Sequence, residues 1–197
     1  MPELPEVEVC RRGLLSELEG SLIEGVAIRA PRLRQDIPKE LPRLLPGCRI
    51  VAIRRRGKYL LIDCLGNDVE GTLIIHLGMS GSLRFVSHDA VPGKHDHFDL
   101  VFPGQVLRFC DPRRFGVVLW QAGAAVLTEQ HPLLASQGIE PLSAEFTGEW
   151  LHAACAKRGG PIKPVIMDSH LVVGIGNIYA AESLFRAGIS PVRAANR

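Results

Sequence analysis

The sequence predicts an α+β chain, with one helix leading into an antiparallel β-sandwich or barrel and further helices behind it. Three observations predict this. Val7, Leu14, Leu15 and Leu18 recur at roughly helical spacing behind an opening rich in proline and glutamate. From about residue 21 to 121 short strand-like runs follow one another, separated by turn residues, which suits a sandwich or a barrel. After about residue 130 the texture turns helical.

Each element has its local reason. The opening MPELPEVE places prolines at 2 and 5 and carboxylates at 3, 6 and 8, which suits a helix start: proline fits the first turn and acids complement the dipole. The helix is expected over residues 3–19, with Gly20 as its stop. The strand segments are SLIEGVAIRA, CRIVAIRRR, KYLLIDCL, GTLIIHLG, SGSLRFV, HFDLVF, QVLRFCD and FGVVLWQ, with turns at Gly66-Asn67 and Pro103-Gly104. EFTGEWLHAACAKR (145–158) reads as one later helix. NIYAAESLFRAG (177–188) reads as another, introduced by Gly174-Ile175-Gly176 and stopped by Gly188. Two domains are expected, 1–130 and 131–197.

Bulk properties narrow the class. The 197 residues, 46% hydrophobic and 22% charged, suit an ordinary globular chain. No apolar run approaches the roughly 18 residues of a membrane helix, and the start lacks the basic-then-apolar pattern of a secretory leader. Cys10, Cys48, Cys64, Cys110 and Cys155 are scattered, odd in number and never spaced as CxxC. Reduced thiols in a cytoplasmic protein fit better than a disulfide framework or a cysteine zinc site. A net charge of +2 speaks weakly against a polyanion binder, but the basic residues are clustered: Arg54, Arg55, Arg56 and Lys58; Arg113 and Arg114; Lys157 and Arg158 with Lys163 nearby.

Several positions carry candidate chemistry. Pro2, once the initiator is removed, is a secondary amine able to attack an aldehyde-like carbon and form an iminium, whereas elsewhere in a chain proline is only punctuation. Glu3 beside it can give and take protons where burial raises its pKa. Lys58, after a glycine and at the head of an apolar strand, is either edge protection or a cation for a phosphate or a proton. His76 and Met79 lie in a turn between strands, and an apolar turn tip is the kind of side chain that wedges into DNA. DPRRFG (111–116) is a second such tip, in which Arg113 can bond a base edge while Phe115 stacks. His95 and His97 have HxH spacing without further ligands near them in sequence, so a phosphate contact or structural hydrogen bond is expected rather than a metal. The glycine turn before Asn177 is too incomplete for a dinucleotide fingerprint but suits one backbone phosphate.

Taken together, MPELPEVE, RRRGKYLL, IIHLGMSGSLR, KHDH with Asp99, DPRRFG, IKP..MD and VVGIGNIYA.ESLFRAGISP resemble the bacterial formamidopyrimidine-DNA glycosylases (MutM) along nearly the whole chain. PELPEVE is closer to this branch than to the endonuclease VIII relatives, which open PEGPE. The resemblance implies a β-sandwich followed by an incomplete helix-two-turn-helix domain. It implies excision of oxidised purines, 8-oxoguanine and formamidopyrimidines, from duplex DNA, followed by strand cleavage. Pro2 would be the nucleophile, Glu3 the general acid and base, Glu6 a shaper of the site, and Lys58 the aid to β-elimination. His76, His95, Arg158, Lys163 and Asn177 match positions that contact DNA or line the pocket. Met79, Arg113 and Phe115 match the triad that fills the gap, with Arg113 reading the opposite cytosine.

The family also carries a C-terminal zinc finger with two CxxC pairs, which these 197 residues lack. The expectation is therefore a C-terminally truncated member, monomeric, without a cofactor of its own and without a membrane partner, exposing apolar surface on its helical part. A second reading is a lesion-DNA-binding fragment with little or no turnover. A third is specificity for oxidised pyrimidines.

Overall fold

A computed structural model describes residues 2–66 and 68–197, so Met1 and the Asn67 half of the expected Gly66-Asn67 turn lie outside the described residues. The chain divides into two units: residues 1–55 with 59–131, and residues 56–58 with 132–197.

In the first unit, helix α1 spans Leu4–Leu18 and buries Leu4, Val7, Leu14 and Leu18. Its N-terminus is closed by a capping box, in which Glu3 accepts from the Glu6 backbone while the Glu3 N–H donates to the Glu6 carboxylate at 2.9 Å. Gly20, at φ +81°, turns the chain out of the helix, a conformation cheap only for glycine. Strand β1 (Gly25–Ile28) and a short helix α2 (Leu41–Leu44) follow. Then come β2 (Arg49–Arg56), β3 (Tyr59–Leu65), β4 (Glu70–His76), β5 (Ser82–Val86), β6 (Asp96–Phe102), β7 (Gln105–Cys110) and β8 (Val117–Ala122). A 3-10 turn, Ala125–Gln130, ends the unit's regular structure.

The strands form two four-stranded sheets, ordered β1-β6-β7-β5 and β2-β3-β4-β8. Their inner faces share one core, with Leu60, Ile62, Leu73 and Ile75 from one sheet meeting Phe98, Leu100, Leu107 and Phe109 from the other. Of the two architectures open to the sequence, this is the sandwich. The near-continuous apolar run of β3 is explained by burial of five consecutive residues, Leu60 to Cys64. Asp63 in that run is satisfied by Arg54 at 2.6 and 2.8 Å and by Thr72 at 2.6 Å, and the Thr128 hydroxyl of the 3-10 turn closes on Thr72.

Glu8 fastens α1 to β2. It accepts from Arg11 Nε and Nη2 at 2.9 and 2.8 Å, from Arg12 at 2.9 Å and from Arg55 at 3.3 Å, while Arg11 also reaches the Ile53 carbonyl. Chiefly through Arg11, and against the opposing effect of burial, the carboxyl is lowered from 4.5 to about 2. The folded value being the lower one, this contribution to stability is complete above about pH 4.5 and fades as pH falls toward 2. Glu8→Gln is expected to flatten acid unfolding in that window, read as a circular-dichroism midpoint shifted against wild type.

The second unit holds α3 (Pro132–Ala135), α4 (Gly148–Cys155), α5 (Ile162–Ile166) and α6 (Asn177–Arg186), and the last three supply a smaller core of Cys155, Ile162, Ile166, Ala180 and Leu184. Helix α4 starts later than its sequence pattern suggests because the Thr147 hydroxyl caps the Trp150 N–H at 3.1 Å. It ends at Cys155, before the basic pair of the expected helix. Helix α5 is hidden in the sequence behind Pro161 and Pro164, which read as breakers but lie at the N-cap and in the first turn, where no N–H is required. Phe185 and Val192 are 84% and 76% exposed, in keeping with the apolar surface expected there. No helix among the described residues is long and apolar enough to cross a membrane.

Candidate active site and nucleic-acid interface

At the chain's start, Pro2 is half-buried and Glu3 is 2% exposed, directly ahead of α1. The capping box fixes the Glu3 backbone and engages the Glu6 carboxylate, so the helix-start reading of PELPE describes the local geometry whether or not Pro2 reacts.

The two predicted tips are brought together. The turn joining β4 to β5 carries Met79, and the turn joining β7 to β8 carries Arg113 and Phe115. A side chain on Gly78, at φ +66°, would sit 2.5 Å from the Phe115 carbonyl carbon, so only glycine allows these backbones to approach so closely. Arg114 is the one non-glycine residue with positive φ among those described, at +57°. Beside that left-handed step, the Arg113 guanidinium lies 4.8 Å from the centre of the Phe115 ring. Met79 and Phe115 are 42% and 44% exposed, so an apolar tip stands in solvent beside a cation.

His76 closes β4. Its Nδ1 accepts the Gly78 N–H at 3.0 Å, which puts the neutral ring's proton on Nε2, and the ring leans on Tyr59 at 4.7 Å. The HxH pair divides its work: His97 is buried with Nε2 at 2.9 Å from the Asp111 carbonyl, whereas His95 is half-buried and its own carbonyl accepts the Asp111 N–H at 2.9 Å. Among the described residues no three His, Cys, Asp or Glu side chains gather as a metal site.

The second unit holds the other candidates. The Lys58 ammonium donates to the Ile175 carbonyl at 2.9 Å, one residue before the Gly176 N-cap of α6. Exposed Asn177 opens that helix, so Lys58 and Asn177 lie at the end of α6 where the helix dipole favours an anion. The segment carrying Lys58 is tied down by Glu140, which accepts from the Gly57 N–H at 2.6 Å and from Arg56 at 3.3 Å; Arg56 also bonds the carbonyls of Gln137 and Gly138. Arg158 pairs with Asp168 at 3.0 Å. Asp168 is held below the usual carboxylate range first by the His170 N–H and then by Arg158, against burial. Lys163 is half-buried in α5.

The clustered Arg54, Arg55 and Arg56 are half-buried and paired within the protein, Arg54 with Asp63, Arg55 with Glu8 and Arg56 with Glu140. Those carboxylates arrive from β3, from helix α1 and from the loop after α3, and no linear spacing reveals that. Sequence reasoning also missed Ser80, Asp111, Glu140 and Asp168, which touch candidate residues rather than resembling them. Only Asp111 had a local signal, as the first residue of an Asp-Pro turn.

The family's zinc does not fit the residues present. All five cysteines are free thiols, and none of them joins a group of metal-ligating side chains among the described residues.

A β-sandwich whose paired turns offer an apolar tip beside an arginine, with a lysine and an asparagine at a helix start in the helical unit, has the features of the nucleic-acid-binding class. Comparison with known proteins makes this specific. Residues 1–118 match the family model of the formamidopyrimidine-DNA glycosylase N-terminal domain, and residues 137–197 match that of its H2TH domain. The chain belongs to the formamidopyrimidine-DNA glycosylase family. It is 73% identical to the formamidopyrimidine-DNA glycosylase of Dechloromonas aromatica over its whole length, covering 71% of that protein. It is 55% identical to the one from Xanthomonas euvesicatoria, of which it covers 70%. Among solved structures, the Lactococcus lactis Fpg in complex with DNA containing an abasic site superposes with a TM-score of 0.89 at 34% identity, covering 99% of this chain and 70% of that one.

Proposed function

We propose that this chain is a DNA glycosylase and abasic-site lyase of base excision repair, excising oxidised purines such as 8-oxoguanine and formamidopyrimidines from duplex DNA in the cytoplasm. The observation that carries the proposal is the joining of the Met79 turn to the Arg113–Phe115 turn, within a chain whose family is named for this activity. Residues 1–130 would form the catalytic domain and 131–197 a helical domain gripping the backbone.

The chemistry runs as follows. The target carbon is inaccessible inside the stack, so the nucleotide is extruded at a cost of a few kcal/mol. Met79 and Phe115 fill the vacancy and offset that cost, while Arg113 bonds the orphaned cytosine. Once Met1 is removed, the Pro2 nitrogen donates its lone pair to C1′, the glycosidic bond breaks, and Glu3 supplies the proton that the departing base takes up. The remaining proton on Pro2 passes to O4′ as the C1′–O4′ bond breaks, which opens the sugar and leaves an iminium that acidifies C2′. Removal of a C2′ proton then expels the 3′ phosphate. Lys58 assists that elimination and, with Asn177, holds phosphate; His76, His95, Arg158 and Lys163 complete the contacts to DNA, and Glu6 shapes the site.

Borohydride trapping on an 8-oxoguanine duplex tests the proposal. A covalent adduct is expected, whereas a gel shift without an adduct would favour a lesion-binding fragment. Faster excision of thymine glycol than of 8-oxoguanine would move the specificity to oxidised pyrimidines. Two substitutions refine the assignment. Arg113→Ala is expected to lose about 1–3 kcal/mol of preference for cytosine opposite the lesion, measured as rates across the four opposing bases. Lys58→Ala is expected to slow strand cleavage by roughly 10²-fold or more while base release falls less. Equal loss of both steps would refute that role.

A further inference from the structure

Asp111 lies beneath both wedge-bearing turns and is not itself among the groups assigned to the reaction. It is fully buried, and its two carboxylate oxygens serve different turns. Oδ1 accepts the Ser80 hydroxyl at 2.7 Å, in the turn that carries Met79. Oδ2 accepts the Gly116 N–H at 2.7 Å, in the turn that carries Arg113 and Phe115. Ser80 closes the loop, because its oxygen also accepts the Arg113 N–H at 3.2 Å. The main chain of Asp111 is fastened in turn, its N–H to the His95 carbonyl and its carbonyl to His97 Nε2, both at 2.9 Å. Gly78 packs against the backbone of Phe115 and Gly116 without room for a side chain.

We propose that Asp111 is a positioning residue whose carboxylate, through Ser80 and Gly116, clamps the two turns into one rigid wedge. Met79 and the Arg113–Phe115 pair then enter DNA together, and the reading of the opposite base by Arg113 depends on the clamp. The physical reason is entropic. Two independent exposed loops would each lose freedom on insertion, whereas a wedge held by buried hydrogen bonds has lost it on folding. The inference rests on the wedge reading given above.

Ser80→Ala is the main test, because it opens the clamp without removing the buried carboxylate. Asp111→Asn is the conservative companion: its amide can still accept from Gly116 and donate to a Ser80 hydroxyl that also receives Arg113 N–H. In the protein without DNA, Ser80→Ala is expected to speed amide exchange by about two- to tenfold in both turns, Arg113 and Gly116 included, as one lost neutral hydrogen bond permits. On lesion duplexes the preference for cytosine over adenine opposite 8-oxoguanine is expected to fall by a similar factor. Adduct formation opposite a one-nucleotide gap, where there is no base to read, is expected to hold within about twofold. Asp111→Asn is expected to lie nearer wild type in both readouts.

Faster exchange confined to residue 80, or an opposite-base preference unchanged in Ser80→Ala, overturns the clamp. An equal fall on the gapped duplex overturns it too, since that is loss of fold rather than of positioning. A wild-type chain that forms no adduct on either duplex overturns the functional reading, and with it the DNA half of the inference. The exchange measurement still decides separately whether the turns are coupled.

Discussion

Retaining Met1, or placing any other residue in front of Pro2, is expected to abolish the borohydride-trapped adduct with lesion DNA. The reason is electronic. A terminal proline is a secondary amine with an available lone pair, whereas an acylated proline nitrogen is a tertiary amide whose lone pair is delocalised into the carbonyl. No residual nucleophile of comparable placement has been assigned, so the adduct should vanish rather than weaken. Folding should survive, because the capping box at the head of α1 is built from Glu3 and Glu6 and not from the Pro2 nitrogen. The check is a gel of trapped complexes beside a thermal melt: loss of adduct with an unchanged melt supports the assignment. An adduct of undiminished yield would remove Pro2 from the mechanism.

Glu3→Gln is expected to slow base release by roughly 10²–10⁴-fold, the usual range for a positioned proton donor. The substitution isolates that role well. Glu3 also accepts the Glu6 N–H, and a glutamine carbonyl can accept the same bond, so the helix start should remain closed. A structural role alone therefore predicts little change, while a proton-transfer role predicts a large one. Duplexes that already contain an abasic site sharpen the contrast, since no base then has to leave. The Gln variant should trap there far better than on 8-oxoguanine, and equal impairment on both substrates would count against Glu3 as the acid for the departing base.

Much of the fold was legible because its signals are local. The Pro-Glu opening and Gly20 bracket α1 to within a residue of its observed ends, since capping and left-handed stops act over a few positions. The strand runs were equally readable, and their burial on a shared core selected the sandwich from two permitted architectures. Helix α5 escaped because proline at a helix start has the same letter as proline that breaks one. The pairing of the basic run of β2 was not legible because its carboxylate partners, Asp63 and Glu8, arrive from other elements.

The amino-acid order alone offered the chemically distinctive groups: a proline that gains an amine where Met1 is removed, next to a carboxylate, an apolar turn tip, and an arginine beside a phenylalanine. Those are properties of side chains and near neighbours. Folding settled which of them act together. It joined the turn of Met79 to that of Arg113 and Phe115 over one buried carboxylate, and it paired three consecutive arginines with carboxylates from other elements. Hydrogen bonds and ion pairs depend on distance in space, and positions thirty or more apart in the chain become adjacent only when sheets pair and a core closes over them.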